Sequence, residues 1–352
     1  MKTILFFLTI LLFSCTESDQ EVKNYHDIVR GVCFRAPLSE ISRFVSFIDN
    51  ELAPMGVNVL VLRINYSLEW ESHPELIISQ VLKKSDALKI KSVCQKNNIR
   101  LVPLINCLGH QSWGTNYGAL LTAYPEFEED PGGKDQEDDF YCRSYCPLHP
   151  EVHGVLFDLF DETIELFEST ALHVGMDEVF IIGEDSCKNG CAGQDKSRLF
   201  ADEVIRLNDH LKNKGVKMWM WGDRLIDGEA TGLGKWQASM NDTHRAIDMI
   251  PTSITICDWH YREAPTTASM FASKGFDVVS CSYQFPKVGL TQLEAMIQAQ
   301  ESDDPDILEH MKGVVHTYWG NTSEFMDAFK GKDVSEKTQG AYETLIKLSE
   351  NW

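Results

Sequence analysis

The feature that most constrains this chain is an alternation repeated eight times: a short β-branched or aromatic run, then a longer stretch of helical character. Parallel strands need a crossover long enough to hold a helix, so this pattern describes βαβ units around a parallel sheet. The expected strands are 31–34, 57–64, 100–105, 171–175, 217–221, 253–257, 277–281 and 313–318. The helices between them are expected at 39–53, 78–96, 152–169, 197–214, 241–250, 267–274 and 291–300, with 324–329 and 337–350 closing the chain. A long irregular insertion, 106–147, follows the third strand. Eight strands, each trailed by a helix, make an α/β fold of the (β/α)8 TIM-barrel type. A doubly wound sheet would need a phosphate or dinucleotide fingerprint after an early strand, and the sequence has none.

The first residues do not belong to that pattern. Lys2 supplies one positive charge, 4–13 is an almost unbroken apolar run, and Leu12-Phe13-Ser14-Cys15 resembles a bacterial lipoprotein cleavage box. Residues 1–14 therefore read as a lipoprotein signal peptide and Cys15 as the lipid-bearing residue. Residues 15–28 read as an acidic tether, and 29–352 as a single barrel domain. The expected location is that of an exported bacterial lipoprotein at the outer membrane or cell surface, the periplasmic face remaining open. No other stretch is apolar for long enough to span a bilayer. The formal net charge of −21 excludes nucleic-acid binding by bulk electrostatics and argues against a polyanionic substrate. No cofactor fingerprint is present, and nothing in the sequence fixes an oligomeric state.

Ten cysteines in an exported chain invite disulfides. Cys33, Cys94, Cys107, Cys257 and Cys281 lie within or beside apolar runs, where a cysteine acts as a small buried hydrophobe. Cys142 and Cys146 form one C-x3-C pair and Cys187 and Cys191 another, both in polar, loop-like sequence. Two local disulfides and a structural four-cysteine zinc site are both open, the C-x3-C spacing being less usual for zinc than C-x2-C. No catalytic metal is expected.

Barrel enzymes work at the carboxyl ends of their strands, so the residues ending each strand decide the chemistry. Here they are Asn106, His110 and Trp113 after strand three, and Asp177 and Glu178 after strand four. Strand five supplies Trp219, Trp221 and Asp223; strand six Asp258, Trp259, His260 and Tyr261; strand seven Tyr283 and Gln284; and strand eight His316, Tyr318, Trp319 and Asn321. Flat aromatic faces stack on sugar rings while acids and amides take their hydroxyls, so this mouth has a carbohydrate character. Glycoside hydrolysis needs one carboxyl to protonate the departing oxygen and a second group to meet the charge at the anomeric carbon. Adjacent acids point in different directions along a strand, so Asp177 and Glu178 cannot face each other across one ring. Their placement fits an acid that protonates the leaving group beside a carboxylate that orients a nucleophilic part of the substrate.

The segment from His173 to Glu178, HVGMDE, resembles the strand-four signature His-x-Gly-Gly-Asp-Glu of glycoside hydrolase family 20, the β-N-acetylhexosaminidases, with Met176 in place of a glycine. Arg30-Gly31, GHQSW (109–113), MWGD (220–223), DWHY (258–261) and YWGN (318–321) are similar to further family motifs and fall in family order. The resemblance implies a retaining exo-β-N-acetylhexosaminidase that removes terminal β-linked GlcNAc or GalNAc by substrate-assisted catalysis. In that scheme Glu178 is the general acid/base and Asp177 orients the acetamido group. Arg30 binds ring hydroxyls, and His110 and His173 support the acids. Trp221, Trp259 and Trp319 wall the acetamido methyl, and Tyr261 or Tyr283 holds the acetamido oxygen. Asn321 stands where the family usually has a carboxylate, Asn65-Tyr66-Ser67 replaces its acidic element after strand two, and no accessory domain precedes the barrel. These departures open the hydroxyl preference to galacto-configured or modified sugars. The alternatives are a conventional retaining β-glycosidase, with Glu178 as acid and Asp223 as nucleophile, or a non-catalytic surface glycan-binding lipoprotein.

Overall fold

The computed structural model describes residues 28–131 and 142–352. The expected signal peptide, Cys15 and nearly all of the tether lie outside the described residues. Eight parallel strands close into a barrel: β1 (Val29–Arg35), β2 (Val59–Arg63), β3 (Arg100–Cys107), β4 (Ala171–Gly175), β5 (Lys217–Trp221), β6 (Thr255–Trp259), β7 (Asp277–Ser282) and β8 (Met311–Thr317). Each strand pairs with its sequence neighbours, and β1 closes on β8 from Val29 opposite Gly313 to Cys33 opposite Thr317. The chain is therefore a (β/α)8 barrel. Among the described residues no helix is long and apolar enough to cross a membrane.

Alternation along the strands builds two cores. Cys33, Val59, Val61, Val102, Leu104, Trp219, Cys257, Val279, Cys281 and Val315 fill the barrel. Their neighbours Val32, Phe34, Leu60, Leu62, Leu172, Met220, Ile256 and Val314 face outward against the helices. A strand whose two faces are both buried reads as a near-continuous apolar run, which is how these runs look in sequence. All five cysteines expected in the core are buried there.

The main helices are Ile41–Phe47, Lys84–Lys96, Val152–Phe167, Lys196–Asn213, Thr267–Ser273, Pro286–Ala299, Thr322–Ala328 and Glu336–Ser349. Three expectations need correction. The second helix starts at Lys84 rather than 78, because Leu82 donates its amide to the Ser67 carbonyl and holds the preceding chain extended. In place of one helix at 241–250 comes a single short turn, Thr243–Asp248, after two others, Gly228–Thr231 and Gly234–Gln237. Gly232, Gly234 and Asp242 interrupt them in left-handed backbone, at φ 73°, 67° and 68°. The helix after β7 begins at Pro286, earlier than 291, with proline in a first-turn position where its missing N–H costs nothing. A further helix, Pro305–His310, capped by the Asp304 carboxylate, lies outside the expected pattern, although an acidic cap before a proline marks a helix start.

In the insertion after β3 the strands Ser112–Trp113 and Asn116–Tyr117 form a short hairpin, followed by the turn of helix Ala119–Ala123. It lies at the carboxyl end of the barrel, beside the end of β4.

Candidate active site

The end of β4 is shaped by backbone before any side chain acts. The β3–β4 register slips between Leu104 opposite His173 and Cys107 opposite Gly175, so β3 carries an extra residue there. Such a bulge re-aims the residues beside it. A side chain at Gly175 would meet the Asn106 Oδ1 atom at 2.5 Å, and Gly175 is itself left-handed at φ 71°. Met176 follows at φ 75° and Glu178 at φ 49°; non-glycine residues in this region cost on the order of 1 kcal/mol each. Met176 carries that strain with its side chain wholly buried in the outer core. The chain thus leaves the strand in a tight turn that presents both acids at the mouth. Gly109 backs this turn, since a methyl group there would lie 2.8 Å from the Asp177 carbonyl oxygen.

His110 joins the two acids. Its Nε2 atom lies 3.1 Å from Asp177 Oδ2 and 3.2 Å from Glu178 Oε2. Burial opposes a charge on this ring, but the Asp177 carboxylate and the hydrogen bonds to both acids outweigh it and hold His110 well above the ordinary histidine value. Asp177 responds in the opposite sense: burial would raise it, and the His110 charge and hydrogen bond bring it below the usual carboxylate value. Glu178 is raised, first by burial and then by the Asp177 charge, against the lowering effect of His110. Repulsion by Asp177 is therefore secondary to desolvation. Two adjacent carboxyls are pushed apart in acidity, which is how one site holds an acid and an anion together. Asp177 Oδ1 is buried and has no hydrogen-bond partner among the described residues.

Asp223 lies behind the pair. One oxygen accepts from the Glu178 amide at 2.9 Å and from Arg224 Nε at 2.7 Å; the other accepts from Trp259 Nε1 at 3.3 Å. Arg224 is anchored in turn by the Lys235 and Ala238 carbonyls. His173 supports the strand end rather than the carboxyls. Its Nδ1 accepts the Gly175 amide at 3.0 Å, its ring packs 4.4 Å from Trp221, and burial pushes it down to about 3, so the ring is neutral.

The aromatic residues form one connected wall. Trp221 and Trp319 lie 5.6 Å apart, Trp259 stacks on Tyr261 at 5.2 Å, and Tyr283 meets Tyr261 edge-on at 5.4 Å. Trp319 Nε1 donates to the Tyr261 hydroxyl at 2.8 Å. Trp113 stands out from the hairpin, 61% exposed, with its ring 5.3 Å from His110.

Two expected site residues are elsewhere. Arg30 is the second residue of β1, at the amino end of the barrel, where its Nε donates to the Gly56 carbonyl. It lies at the end opposite the acids and does not belong to the mouth. Asn321 is exposed, and its Oδ1 caps the helix Thr322–Ala328 by accepting the Ser323 amide. Other strand-end groups are structural: Asp258 accepts from Thr267 and pairs with His260, and the Tyr318 hydroxyl bonds Thr338.

Two arginines that the sequence reading did not single out stand at the mouth. Arg35 and Arg63 are register partners at the carboxyl ends of β1 and β2. The Arg63 guanidinium lies 4.4 Å over the Trp319 ring and donates to the Tyr318 carbonyl at 3.2 Å. Burial pulls it below the usual arginine value.

The paired cysteines also depart from expectation. Cys142 donates to the Glu178 carbonyl, 3.5 Å away. Cys146 is 3.4 Å from the Cys187 sulfur and 3.3 Å from that of Cys191. Neither the two local disulfides nor a four-sulfur set is present, because the fold groups three of the four across two loops.

Comparisons with known proteins agree with this architecture. Residues 64–338 match the glycosyl hydrolase family 20 catalytic domain. The chain is 22% identical over 206 residues to lacto-N-biosidase of Bifidobacterium bifidum, covering 55% of this chain and 17% of that protein. It is 24% identical over 230 residues to β-hexosaminidase subunit A2 of Dictyostelium discoideum, covering 59% of this chain and 39% of that one. The matches thus span well under half the length of these curated relatives. The β-N-acetylhexosaminidase structure from Bacteroides fragilis superposes with a TM-score of 0.62 at 16% identity, over 92% of this chain and 66% of that one. The barrel, the order of its strand-end motifs and the family match agree: this chain belongs to glycosyl hydrolase family 20.

Proposed function

We propose that the chain is a retaining exo-β-N-acetylhexosaminidase that removes terminal β-linked GlcNAc or GalNAc by substrate-assisted catalysis. The observation that carries this reading is the unequal acid pair, with Asp177 Oδ1 left as a buried acceptor. A buried carboxylate oxygen without a donor is costly, and a substrate N–H aimed at it removes that cost. In the proposed reaction the acetamido N–H donates to Asp177, which raises the nucleophilicity of the acetamido carbonyl oxygen. That oxygen attacks the anomeric carbon as the glycosidic bond breaks, and Glu178 gives its proton to the departing oxygen. A cyclic oxazolinium ion results, with the negative Asp177 beside its positive charge. Glu178, now a carboxylate, takes a proton from water as the water opens the ring, and the configuration is retained.

Tyr261, whose hydroxyl accepts from Trp319, has its own proton to give the acetamido oxygen. The Trp221, Trp259 and Trp319 faces exclude water from the acetamido methyl. A conventional nucleophile at Asp223 is disfavoured, because both its oxygens are engaged by the Glu178 amide, Arg224 and Trp259. Aryl β-N-acetylglucosaminide and galactosaminide, assayed beside the matching β-glucoside and galactoside, test the reading. Turnover of the acetamido sugars alone, with the β-anomer released first in NMR, is expected. Equal rates on plain glycosides would overturn it, and binding without any turnover would favour a glycan-binding protein. We also propose lipid attachment at Cys15; [3H]palmitate labelling that survives Cys15→Ala would contradict it.

A further inference from the structure

From the grouping of Glu129, Cys146, Cys187 and Cys191 we infer that the two loops flanking the acid pair are clamped together by a structural zinc ion held by three thiolates and one carboxylate. One ligand atom of each residue lies within 4.8 Å of all the others, and all four residues are buried. Glu129 and Cys146 come from the insertion after β3; Cys187 and Cys191 come from the loop after β4. Spacing within each C-x3-C pair does not group them this way. The backbone does: the Glu129 amide on the Ser144 carbonyl and the Cys146 amide on the Phe127 carbonyl set Glu129 beside Cys146, and the amides of Gly183 and Glu184 join the loop of Cys187 and Cys191 to the Glu129 carboxylate.

A disulfide is the competing account, and it leaves groups over. Three sulfurs cannot pair among themselves, so a Cys146–Cys187 or Cys146–Cys191 bond strands one thiol in the core. It also leaves the carboxylate unanswered. Glu129 Oε1 accepts the Gly183 and Glu184 amides at 2.8 and 3.2 Å, while Oε2 is fully buried with no hydrogen-bond partner. A buried carboxylate oxygen beside three sulfurs asks for a cation. The S···S separations of 3.3 and 3.4 Å need opening by a few tenths of an ångström to reach the about 3.8 Å edge of a tetrahedral zinc–sulfur site. Closing them to the about 2.0 Å of a disulfide requires a larger movement. Thiolate-rich tetrahedral sites with no open position are those of structural zinc. Binding replaces the thiol protons, which are released to solvent, and requires no oxidant.

The clamp bears on the acids through Cys142, which sits four residues before Cys146 and touches the Glu178 carbonyl. Its role is positional, and the test reads metal rather than turnover. The full chain, purified without chelator from zinc-supplied cells, is expected to carry about one zinc per molecule by mass spectrometry. X-ray absorption is expected to give three sulfurs at about 2.3 Å and one oxygen at about 2.0 Å. An organomercurial titrated into the unmutated protein should release that zinc to a chromogenic chelator as the thiols react, so no variant has to fold. Glu129→Gln should retain zinc but lose it to a competing chelator at least tenfold faster, and Cys191→Ser should purify with less than a tenth of the zinc. A metal-free protein, whether its thiols are free or two are oxidised, would overturn the inference. So would a different metal, or a zinc shell without oxygen.

Discussion

The two halves of the barrel mouth are built on different plans. On the side of β3, β4 and β5, three acids share one network: His110 joins Asp177 to Glu178, and Asp223 holds the Glu178 amide and the Trp259 indole. On the side of β8, β1 and β2, the rim is cationic and looser, with Arg35 exposed, Arg63 lying on Trp319, and Asn321 used up as a helix cap. Under the proposed function the contrast separates two tasks. Holding an acid and an anion at different acidities demands rigid, desolvated geometry, whereas gripping outer hydroxyls or a modified ring tolerates substitution of the gripping groups.

If that division is right, damage should scale with the side that is touched. Glu178→Gln should lower kcat by about 10²–10⁴ on substrates with poor leaving groups, and far less on activated aryl glycosides, which need no proton. An equal loss on both would remove Glu178 from the acid role. Asp177→Asn should cost about 10²–10³ in kcat, in the range of other preorganised charge-stabilising groups, with KM little changed. Asp223→Ala should act through structure. It leaves Arg224 buried without its partner, at a cost of about 3–5 kcal/mol in chemical denaturation, and loosens Glu178 at the same time.

On the other side the effects shrink. Arg63→Met should lose about 1–2 kcal/mol in kcat/KM, chiefly through KM, because it removes a partly desolvated cation from the Trp319 face. Asn321→Ala should cost about 1 kcal/mol of stability as a lost helix cap while leaving kcat/KM unchanged. A large kcat/KM effect there would restore Asn321 to the sugar site.

The pH profile tests the first half as a unit. In the proposed mechanism Glu178 must be protonated, and its value is raised, so activity should fall as pH rises through a point above the usual glutamic-acid value of about 4.3. The same mechanism needs Asp177 ionised, and its value is lowered, so the acid limb should lie below the usual aspartic-acid value of about 3.9. His110 is raised in the folded state, so its contribution to stability is complete below its unfolded value of about 6.5. That contribution is lost as pH rises through the folded value. Denaturant midpoints of His110→Gln should therefore approach those of the unmutated chain at high pH.

The same division governed what could be read in advance. The barrel was legible because burial on both strand faces leaves unbroken apolar runs, and β4 and β5 fall where those runs predict them. The placement of the acid pair was legible because Asp177 and Glu178 directly follow one apolar strand run. Arg30 was misplaced although a signal existed: strand one at 31–34 puts Arg30 before the strand and Arg35 after it, so the mouth rule alone selects Arg35. Arg63 ends β2 by the same rule. Its contact with Trp319 depends on barrel closure, which brings β1 and β2 beside β8. The cysteine grouping was not legible, because C-x3-C spacing suggests local partners and only the packing of two loops brings Cys146 to Cys187 and Cys191. Asp223 was visible as a strand-end acid, but its role as a backbone anchor required the geometry.

The central claim is that the substrate's own acetamido oxygen, steered by Asp177, is the nucleophile. Hydrolysis of aryl β-glycosides carrying N-acetyl, N-fluoroacetyl, N-difluoroacetyl and N-trifluoroacetyl groups measures this most directly, since each fluorine weakens that oxygen without changing the leaving group. The account predicts that kcat/KM falls steeply and steadily along the series, and that Asp177→Asn flattens the slope. A series of equal rates would contradict it and return the nucleophile to a carboxylate of the protein.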